Sequence, residues 1–296
     1  MTGVPHRAGH VAIVGRPNVG KSTLLNRLVG QKISITSQRP QTTRQRIIGI
    51  VTRPDAQYVV VDTPGFQTRH GSTMNRLMNK SVSRSISDVD AIVWVVEALH
   101  LDATDKAVAA LLQEGARVVI ALNKIDEISN KNELLPFMQQ LHELAQPSAI
   151  VPVSAKNGTG LDELLAAVRG LLPVSERLYG EDEITTASER MLAAELLREK
   201  VFRLLGEELP YSATVEIELF ETVDGLRRIH AGILVDKPGQ KGIVIGKGGA
   251  KLKQIASQAR MDMERLFGGK VYLEVWVKIK SGWADDTAVL RRLGIE

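Results

Sequence analysis

The sequence predicts an α/β domain with a mostly parallel sheet, followed by a smaller α+β domain. Three observations carry this. From His10 to about Leu172, nearly continuous apolar runs alternate with amphipathic stretches. From 172 to 188, LPVSERLYGEDEITTAS has a proline, an acidic cluster and no apolar periodicity. Beyond it the runs alternate strictly between apolar and polar, the pattern of strands with one solvated face. The chain therefore divides into a tail (1–9), a first domain (10–172), a linker (173–187), a second domain (188–282) and a C-terminal tail (283–296).

HVAIV (10–14), YVVVD (58–62), AIVWVV (91–96), RVVIAL (117–122) and AIVPV (149–153) read as strands covered by helices on both faces. IIGIVT (47–52), joined to YVVVD through Arg53-Pro54-Asp55, reads as a hairpin that adds one antiparallel strand. STLLNRLVG (22–30) and LDELLAAVRGLL (161–172) have helical spacing. In the second domain Ala194, Leu197, Val201, Leu204 and Leu205 share a helical face. Ala213, Val215, Ile217 and Leu219 alternate with Thr214, Glu216 and Glu218, and a second strand covers roughly 228–235. Leu252, Ile255, Ala256, Ala259, Met263 and Leu266 mark another helix. In the last strand, Val271, Leu273, Val275, Val277 and Ile279 oppose Tyr272, Glu274, Trp276, Lys278 and Lys280.

The absence of cysteine excludes a disulfide scaffold, thiolate catalysis and Cys-ligated metals, and fits a reducing compartment. Ala91–Val96, the longest apolar run, has six residues, where a bilayer span needs roughly 20. The N-terminus has no apolar stretch for a signal peptide, so the expectation is a cytoplasmic protein. The net charge of +4 conceals a division. Residues 181–236 carry 6 Lys/Arg against 13 Asp/Glu, and residues 237–280 carry 10 against 3. A basic block of this size suggests a phosphate-backbone partner, although charge alone favours a solvated lysine-rich face.

Gly15-Arg16-Pro17-Asn18-Val19-Gly20-Lys21-Ser22, followed by Thr23, fits G-x-x-x-x-G-K-[ST] and lies between a buried strand and a helix. Such a loop wraps backbone N–H groups around phosphates. Lys21 reaches the terminal phosphates, Ser22 ligates Mg²⁺, and the helix start adds its positive dipole end. Asp62-Thr63-Pro64-Gly65 ends the YVVVD strand, where a carboxylate can hold Mg²⁺ through water. Asn123-Lys124-Ile125-Asp126 ends the RVVIAL strand. Asp126 can accept from guanine N1–H and the 2-amino group, donors that adenine lacks, while the Lys124 stem lies over the base. Ser154-Ala155-Lys156 ends the AIVPV strand, where its backbone N–H can meet guanine O6. All four strings stand at the C-terminal ends of predicted strands, the ligand-binding edge of such sheets.

In this order and spacing the four strings resemble the first, third, fourth and fifth G boxes of translation-factor-class GTPases. Thr42-Thr43 in Gln41-Thr42-Thr43-Arg44 resembles the switch I box, whose threonine closes on Mg²⁺ and the γ-phosphate; Thr43 is favoured and Thr42 remains open. The Pro17-Asn18 pair and the Thr-Thr-Arg string are most similar to the TrmE–Era branch. After Gly65 comes Phe66, where Ras-like enzymes carry the glutamine that orients water. Gln67 is displaced by one residue, and His70 is either a base or a solvated bystander. Catalysis then rests on Lys21, Mg²⁺ and an ordered Thr43. The resemblance further implies that Asn18 helps bind an activating K⁺, the alternative being a residue that only shapes the loop.

Gly246-Lys247-Gly248-Gly249, between Ile243-Val244-Ile245 and a helix with Lys251 and Lys253, resembles the G-x-x-G turn of a KH domain. That loop clamps about four nucleotides of single-stranded backbone. The order helix, strand, strand, helix, helix, strand resembles type II KH. A P-loop GTPase domain of this branch followed by a C-terminal KH domain is similar to one family, Era, over essentially the whole chain from His10. The resemblance implies GTP/GDP binding, slow GTP hydrolysis and binding to 16S rRNA and the 30S ribosomal subunit during its maturation. It also implies a cytoplasmic location with peripheral contact at the inner membrane face, a monomer, and no DNA partner. Two other readings compete. One is an RNA chaperone with a vestigial nucleotide domain, opposed by the presence of Lys21, Ser22, Asp62, Asn123 and Asp126. The other is a tRNA-modifying GTPase, which needs a cysteine this chain lacks.

Overall fold

The computed structural model describes residues 5–37, 42–66, 72–112, 115–206 and 209–295. Gln41, Gln67 and His70 lie outside the described residues. The chain groups into two units. The first holds residues 1–34, 43–71 and 75–186; the second holds 35–42, 72–74 and 187–296.

The first unit is built on β1 (Arg7–Val14), β2 (Ile47–Arg53), β3 (Ala56–Asp62), β4 (Ala91–Glu97), β5 (Val118–Asn123) and β6 (Ala149–Pro152). They form a sheet in the order β2-β3-β1-β4-β5-β6, with β2 antiparallel to β3 and the remaining pairs parallel. The first strand begins at Arg7 rather than His10, because Arg7, Ala8 and Gly9 pair with Ala56, Gln57 and Tyr58. The helices are α1 (Lys21–Val29), α2 (Thr73–Ser87), α3 (Ala103–Leu111), α4 (Leu134–Ala145) and α5 (Leu161–Leu171). Ala12, Val14, Ile92, Trp94, Val96, Ile120 and Leu122 on one sheet face pack with Val82, Ile86, Val108 and Leu141 of the helices. Ile13, Val60 and Val93 are buried on the strands, as are Leu164, Leu165 and Val168 on α5. A sheet apolar on both faces produces the continuous runs seen in the sequence.

Residues 173–186, expected to be a linker, group with this unit. Ala8 N–H donates to Pro173 O at 3.3 Å and Ile50 N–H to Ile184 O at 2.9 Å. Gly49 bridges Thr185, and Thr185 Oγ1 donates to Ile48 O at 2.6 Å. The fully buried Gln57 accepts from the Leu178 and Tyr179 N–H groups at 2.7 and 2.9 Å and donates to Tyr179 O at 3.0 Å. The segment is thus a strap along β1–β3. The strap's own side of these hydrogen bonds is mostly backbone N–H and C=O, which leaves no side-chain period in its sequence.

The second unit contains α6 (Glu189–Leu204), β7 (Ala213–Val223), β8 (Leu226–Val235), α7 (Pro238–Ile245), α8 (Ala250–Phe267), β9 (Val271–Ile279) and α9 (Thr287–Arg292). β8 is central, antiparallel to β7 and parallel to β9. Asp224 and Gly225 join β7 to β8 with φ of 51° and 76°, the two positive values a tight hairpin turn requires. Leu197, Val201, Val215, Ile229, Ile233, Ile255, Ala259 and Met263 belong to one core. α6 also buries Glu195, Arg198, Glu199 and Lys200. Arg198 pairs with Glu195 at 2.7 Å, and Lys200 pairs with Glu199 at 3.5 Å and with Asp262 of α8. The expected C-terminal tail groups with this unit. Trp283 is buried with Nε1 donating to Ser212 O at 3.0 Å, and Val289, Leu290, Leu293 and Ile295 are buried after it.

Candidate nucleotide site and RNA-binding turn

The phosphate loop joins β1 to α1. Gly15 needs to be glycine: its φ is 149°, and a Cβ there would stand 2.5 Å from Val95 O. Gly20 at φ 103° precedes α1, whose first N–H groups have no partner further back in the helix. Lys21 is buried, with Nζ donating to Gly15 O at 2.9 Å and Arg16 O at 2.8 Å. Burial lowers its pKa to about 8, against the opposing pull of Asp62. Asn18 is exposed with φ 65°, a left-handed conformation that asparagine tolerates better than most residues. Pro17 stands against Gly65, where an added Cβ would meet its ring at 3.0 Å. Val19 is buried and Thr23 half-buried.

Beside the loop lies a group of oxygen donors. The buried Asp62 Oδ2 accepts from Ser22 Oγ at 2.8 Å, Ser34 Oγ at 2.9 Å and Thr43 Oγ1 at 3.3 Å. Ser22 Oγ and Thr43 Oγ1 are 2.9 Å apart, which favours Thr43 over Thr42 as the inward hydroxyl. Asp62 Oδ1 is buried with no hydrogen-bond partner among the described residues. Burial raises the Asp62 pKa, more than Lys21 and the three hydroxyls lower it. Two hydroxyls, a carboxylate with an open oxygen and a neighbouring phosphate loop are the hard-oxygen donor set that suits Mg²⁺. Ser22, Thr43 and Asp62 therefore fit that ion. Ser34 was not found from the sequence. It is set by Asn26 on α1, whose Oδ1 accepts from Ile33 N–H at 2.9 Å and Ser34 N–H at 2.8 Å. No motif spacing marks either residue.

Thr63 Oγ1 donates to Ile13 O at 2.8 Å, tying the third string to β1, while Pro64 and Gly65 are buried. Phe66 packs against the core and has no group able to orient water. On the other side of the loop, Asn123 Nδ2 donates to Val19 O at 2.7 Å and Asn123 Oδ1 accepts from Ala155 N–H at 2.9 Å. One side chain thus joins the first, fourth and fifth strings. Ser154 Oγ donates to Asp126 Oδ1 at 2.6 Å, and Lys156 Nζ lies 3.8 Å from Asp126. Lys124 has φ 69°, and its Nζ meets Glu97 at 3.0 Å. Arg16 also reaches Glu97, at 2.6 Å. Burial pushes the Glu97 carboxyl up, but Lys124 and Arg16 together hold it below its ordinary value. All four strings of the first unit thus come together at one edge of its sheet.

In the second unit, the short turn Lys247–Gly249 lies between α7 and α8. Gly246, Gly248 and Gly249 have φ of 72°, 57° and 81°, so the turn uses glycine conformations throughout. A Cβ on Gly246 would stand 2.6 Å from Lys251 Cβ. Lys247 and Lys253 are exposed and Lys251 half-exposed, and none forms an ion pair among the described residues. The turn thus offers accessible backbone with unneutralised cations around it, the elements a phosphate backbone requires.

A family model described as "50S ribosome-binding GTPase" matches residues 10–124, and one described as "KH domain" matches residues 208–284. GTPase Era of Chromobacterium violaceum is 54% identical over 296 residues, covering 100% of both chains. GTPase Era of Nitrosomonas eutropha is also 54% identical, with 100% of each chain covered. Two solved structures superpose with a TM-score of 0.94, each covering 98% of this chain and 99% of the other. One is an Aquifex aeolicus Era variant bound to GDP and AlF4⁻, at 36% identity. The other is an Era in complex with MgGDPNP and nucleotides 1506–1542 of 16S ribosomal RNA, at 37% identity.

Proposed function

The chain belongs to the Era family of GTPases, and from that premise we propose that it hydrolyses GTP at the β1–α1 loop and binds 16S rRNA through the Gly246–Gly249 turn during maturation of the small ribosomal subunit. The observation that carries the nucleotide reading is the convergence of four separate strings at one sheet edge. Asn123 joins three of them, and Asp62 collects the hydroxyls of Ser22 and Thr43.

In this reading Gly15, Arg16, Pro17, Asn18, Val19, Gly20 and Thr23 surround the phosphates, all but Pro17 offering a backbone N–H group, and Lys21 neutralises the terminal ones. Asp126, aligned by Ser154, reads the guanine N1–H and 2-amino donors, while the Lys124 stem covers the base and Ala155 and Lys156 close its O6 side. Thr63, Pro64 and Gly65 carry the chain past the γ-phosphate. Ser22, Thr43 and Asp62 would hold Mg²⁺, which when bound neutralises charge on the β- and γ-phosphate oxygens. Phe66 supplies no proton acceptor, so in this reading water attacks under electrostatic stabilisation, with His70 as a side-chain base the alternative. K⁺ at Asn18 is the finer part of this reading, supported by the Pro17-Asn18 resemblance. Gly246, Lys247, Gly248, Gly249, Lys251 and Lys253 take the RNA backbone.

No helix among the described residues is long and apolar enough to cross a membrane. A monomer working in the cytoplasm, with peripheral contact at the inner membrane face, is the location that the family resemblance supports. The test is phosphate release from GTP and ATP with Lys21→Ala as control, beside titration of a 16S 3′-end RNA. GTP-selective turnover lost in Lys21→Ala, with saturable RNA binding, is the expected result. Equal turnover of ATP and GTP would remove the guanine assignment, and absent RNA binding would remove the KH assignment.

A further inference from the structure

Arg16 is the second residue of the phosphate loop, and Lys124 belongs to the string that faces the base. They come from segments more than a hundred positions apart, yet both end on one carboxylate oxygen. Glu97 Oε2 is 2.6 Å from Arg16 Nη2 and 3.0 Å from Lys124 Nζ. Glu97 is the last residue of β4 and pairs in register with Asn123 of β5. Its backbone is fixed by a tight turn: Ala98 N–H donates to Asn123 O at 2.8 Å, His100 N–H donates to Glu97 O at 3.1 Å, and Leu99 takes a left-handed φ of 61°. The opposite side of Arg16 is held as well. Its Nε donates at 3.0 Å to Oδ2 of the fully buried Asp105, which also accepts from Asp102 N–H at 3.1 Å in the capping box of α3.

We propose that Glu97 is a positioning residue for guanine-nucleotide binding: its carboxylate fixes the phosphate loop, through Arg16, and the base-facing Lys124 relative to each other, so that phosphates and base meet a site already assembled. An unbridged Lys124 samples many rotamers, and ordering it on binding opposes affinity. An unbridged Arg16 keeps its side-chain contacts on the Asp105 side alone, so one of the ties on its loop is lost. Both effects are expected to act equally on GTP and GDP, because Glu97 bridges Arg16 to the base-facing Lys124 and the two nucleotides share that base. The signature is therefore a change in nucleotide release and KM that spares both kcat and base choice. A residue that merely supports the fold would lower the melting temperature without this split.

The inference rests on the nucleotide reading above, and the experiment separates the two. Release of fluorescently labelled GDP and GTP is measured from the full-length protein in the wild type, Glu97→Gln and Glu97→Asp, and in Lys124→Ala with and without Glu97→Gln. Glu97→Gln, nearly the same shape without the charge, is expected to speed release of both nucleotides by about tenfold and to raise KM by the same factor. Its kcat should stay within about twofold and its nucleotide-free melting temperature unchanged. Glu97→Asp, a methylene shorter, should fall between, and supplies the test should Glu97→Gln fail to fold. In the Lys124→Ala background the Glu97→Gln effect should shrink to about threefold or less, because one of the two partners is already gone. Unchanged release in the Glu97 variants, or an effect equally large without Lys124, would overturn the proposal. A wild type that fails to retain GTP would instead overturn the nucleotide reading itself.

Discussion

At the scale of single residues, Asn18 and Asp126 separate roles that their motifs leave merged. Asn18 has φ 65°, so the loop has a use for asparagine that involves no cation. Alanine would strain this backbone, whereas glycine keeps the conformation and removes only the amide. If the amide holds K⁺, exchanging NaCl for KCl at constant ionic strength should speed wild-type turnover several-fold and leave Asn18→Gly indifferent to the cation. A wild type insensitive to the cation leaves Asn18 with loop shaping alone. Asp126 receives the Ser154 hydroxyl at 2.6 Å, which aligns its carboxylate. Asp126→Asn should weaken GTP binding and favour xanthine nucleotide, because an amide donates to the 2-oxo group that a carboxylate repels; competition between labelled GTP and xanthosine triphosphate reads it out. Both residues were legible because their strings have fixed spacing. Ser34, Asn26 and Glu97 were not. Each acts through a partner that no motif spacing fixes, and a lone serine, asparagine or strand-end glutamate has no local signature.

At the scale of elements, the strands and long helices follow the apolar pattern because the pattern is produced by burial. The strap at 173–186 does not, since it is held by carbonyl and N–H groups that every sequence carries. A side-chain clue is Gln57, a polar residue just before YVVVD in β3 and fully buried. Replacing the amide by an isosteric apolar group leaves two strap N–H groups, of Leu178 and Tyr179, without their acceptor. Each such loss costs about 1–3 kcal/mol. Gln57→Leu is therefore expected to accelerate hydrogen exchange at those two amides by an order of magnitude or more. Amides in the middle of the central strand β1 should keep their protection; exchange unchanged at 178 and 179 would mean that the strap is held by its β1 and β2 contacts. α6 shows the converse. Its apolar face was readable, but Glu195, Arg198, Glu199 and Lys200 are buried beside it, where sequence polarity predicts exposure. Paired charges from the same helix and from Asp262 permit that burial.

At the scale of the whole molecule, the question is whether the two units share one equilibrium. RNA binding at the turn should divide into charge and geometry. Neutralising Lys247, Lys251 or Lys253 singly should lower the salt dependence of binding by a fraction of a unit to about one per lysine. Lys247→Asp with Gly248→Asp should abolish specific binding by facing phosphates with carboxylates. Gly248 has φ 57° and open space around its Cα, so aspartate, which tolerates this region, leaves the turn its shape. That variant should keep its nucleotide affinity, since none of its changes lies in the first unit. Coupling requires more, namely a segment whose arrangement depends on the γ-phosphate. On the proposed reading, Thr43 closes on Mg²⁺ and the γ-phosphate only with GTP bound, which makes its segment the one whose order depends on the nucleotide. RNA should therefore bind about tenfold more tightly with a non-hydrolysable GTP analogue than with GDP, a coupling of about 1.4 kcal/mol. By reciprocity, saturating RNA should tighten the analogue by the same factor relative to GDP. Titrating labelled 16S 3′-end RNA in the analogue, GDP and nucleotide-free states measures the first arm, and analogue release with and without RNA measures the second. Equal affinities in all three states would make the units tethered but independent, and RNA recognition would then proceed without reference to the nucleotide.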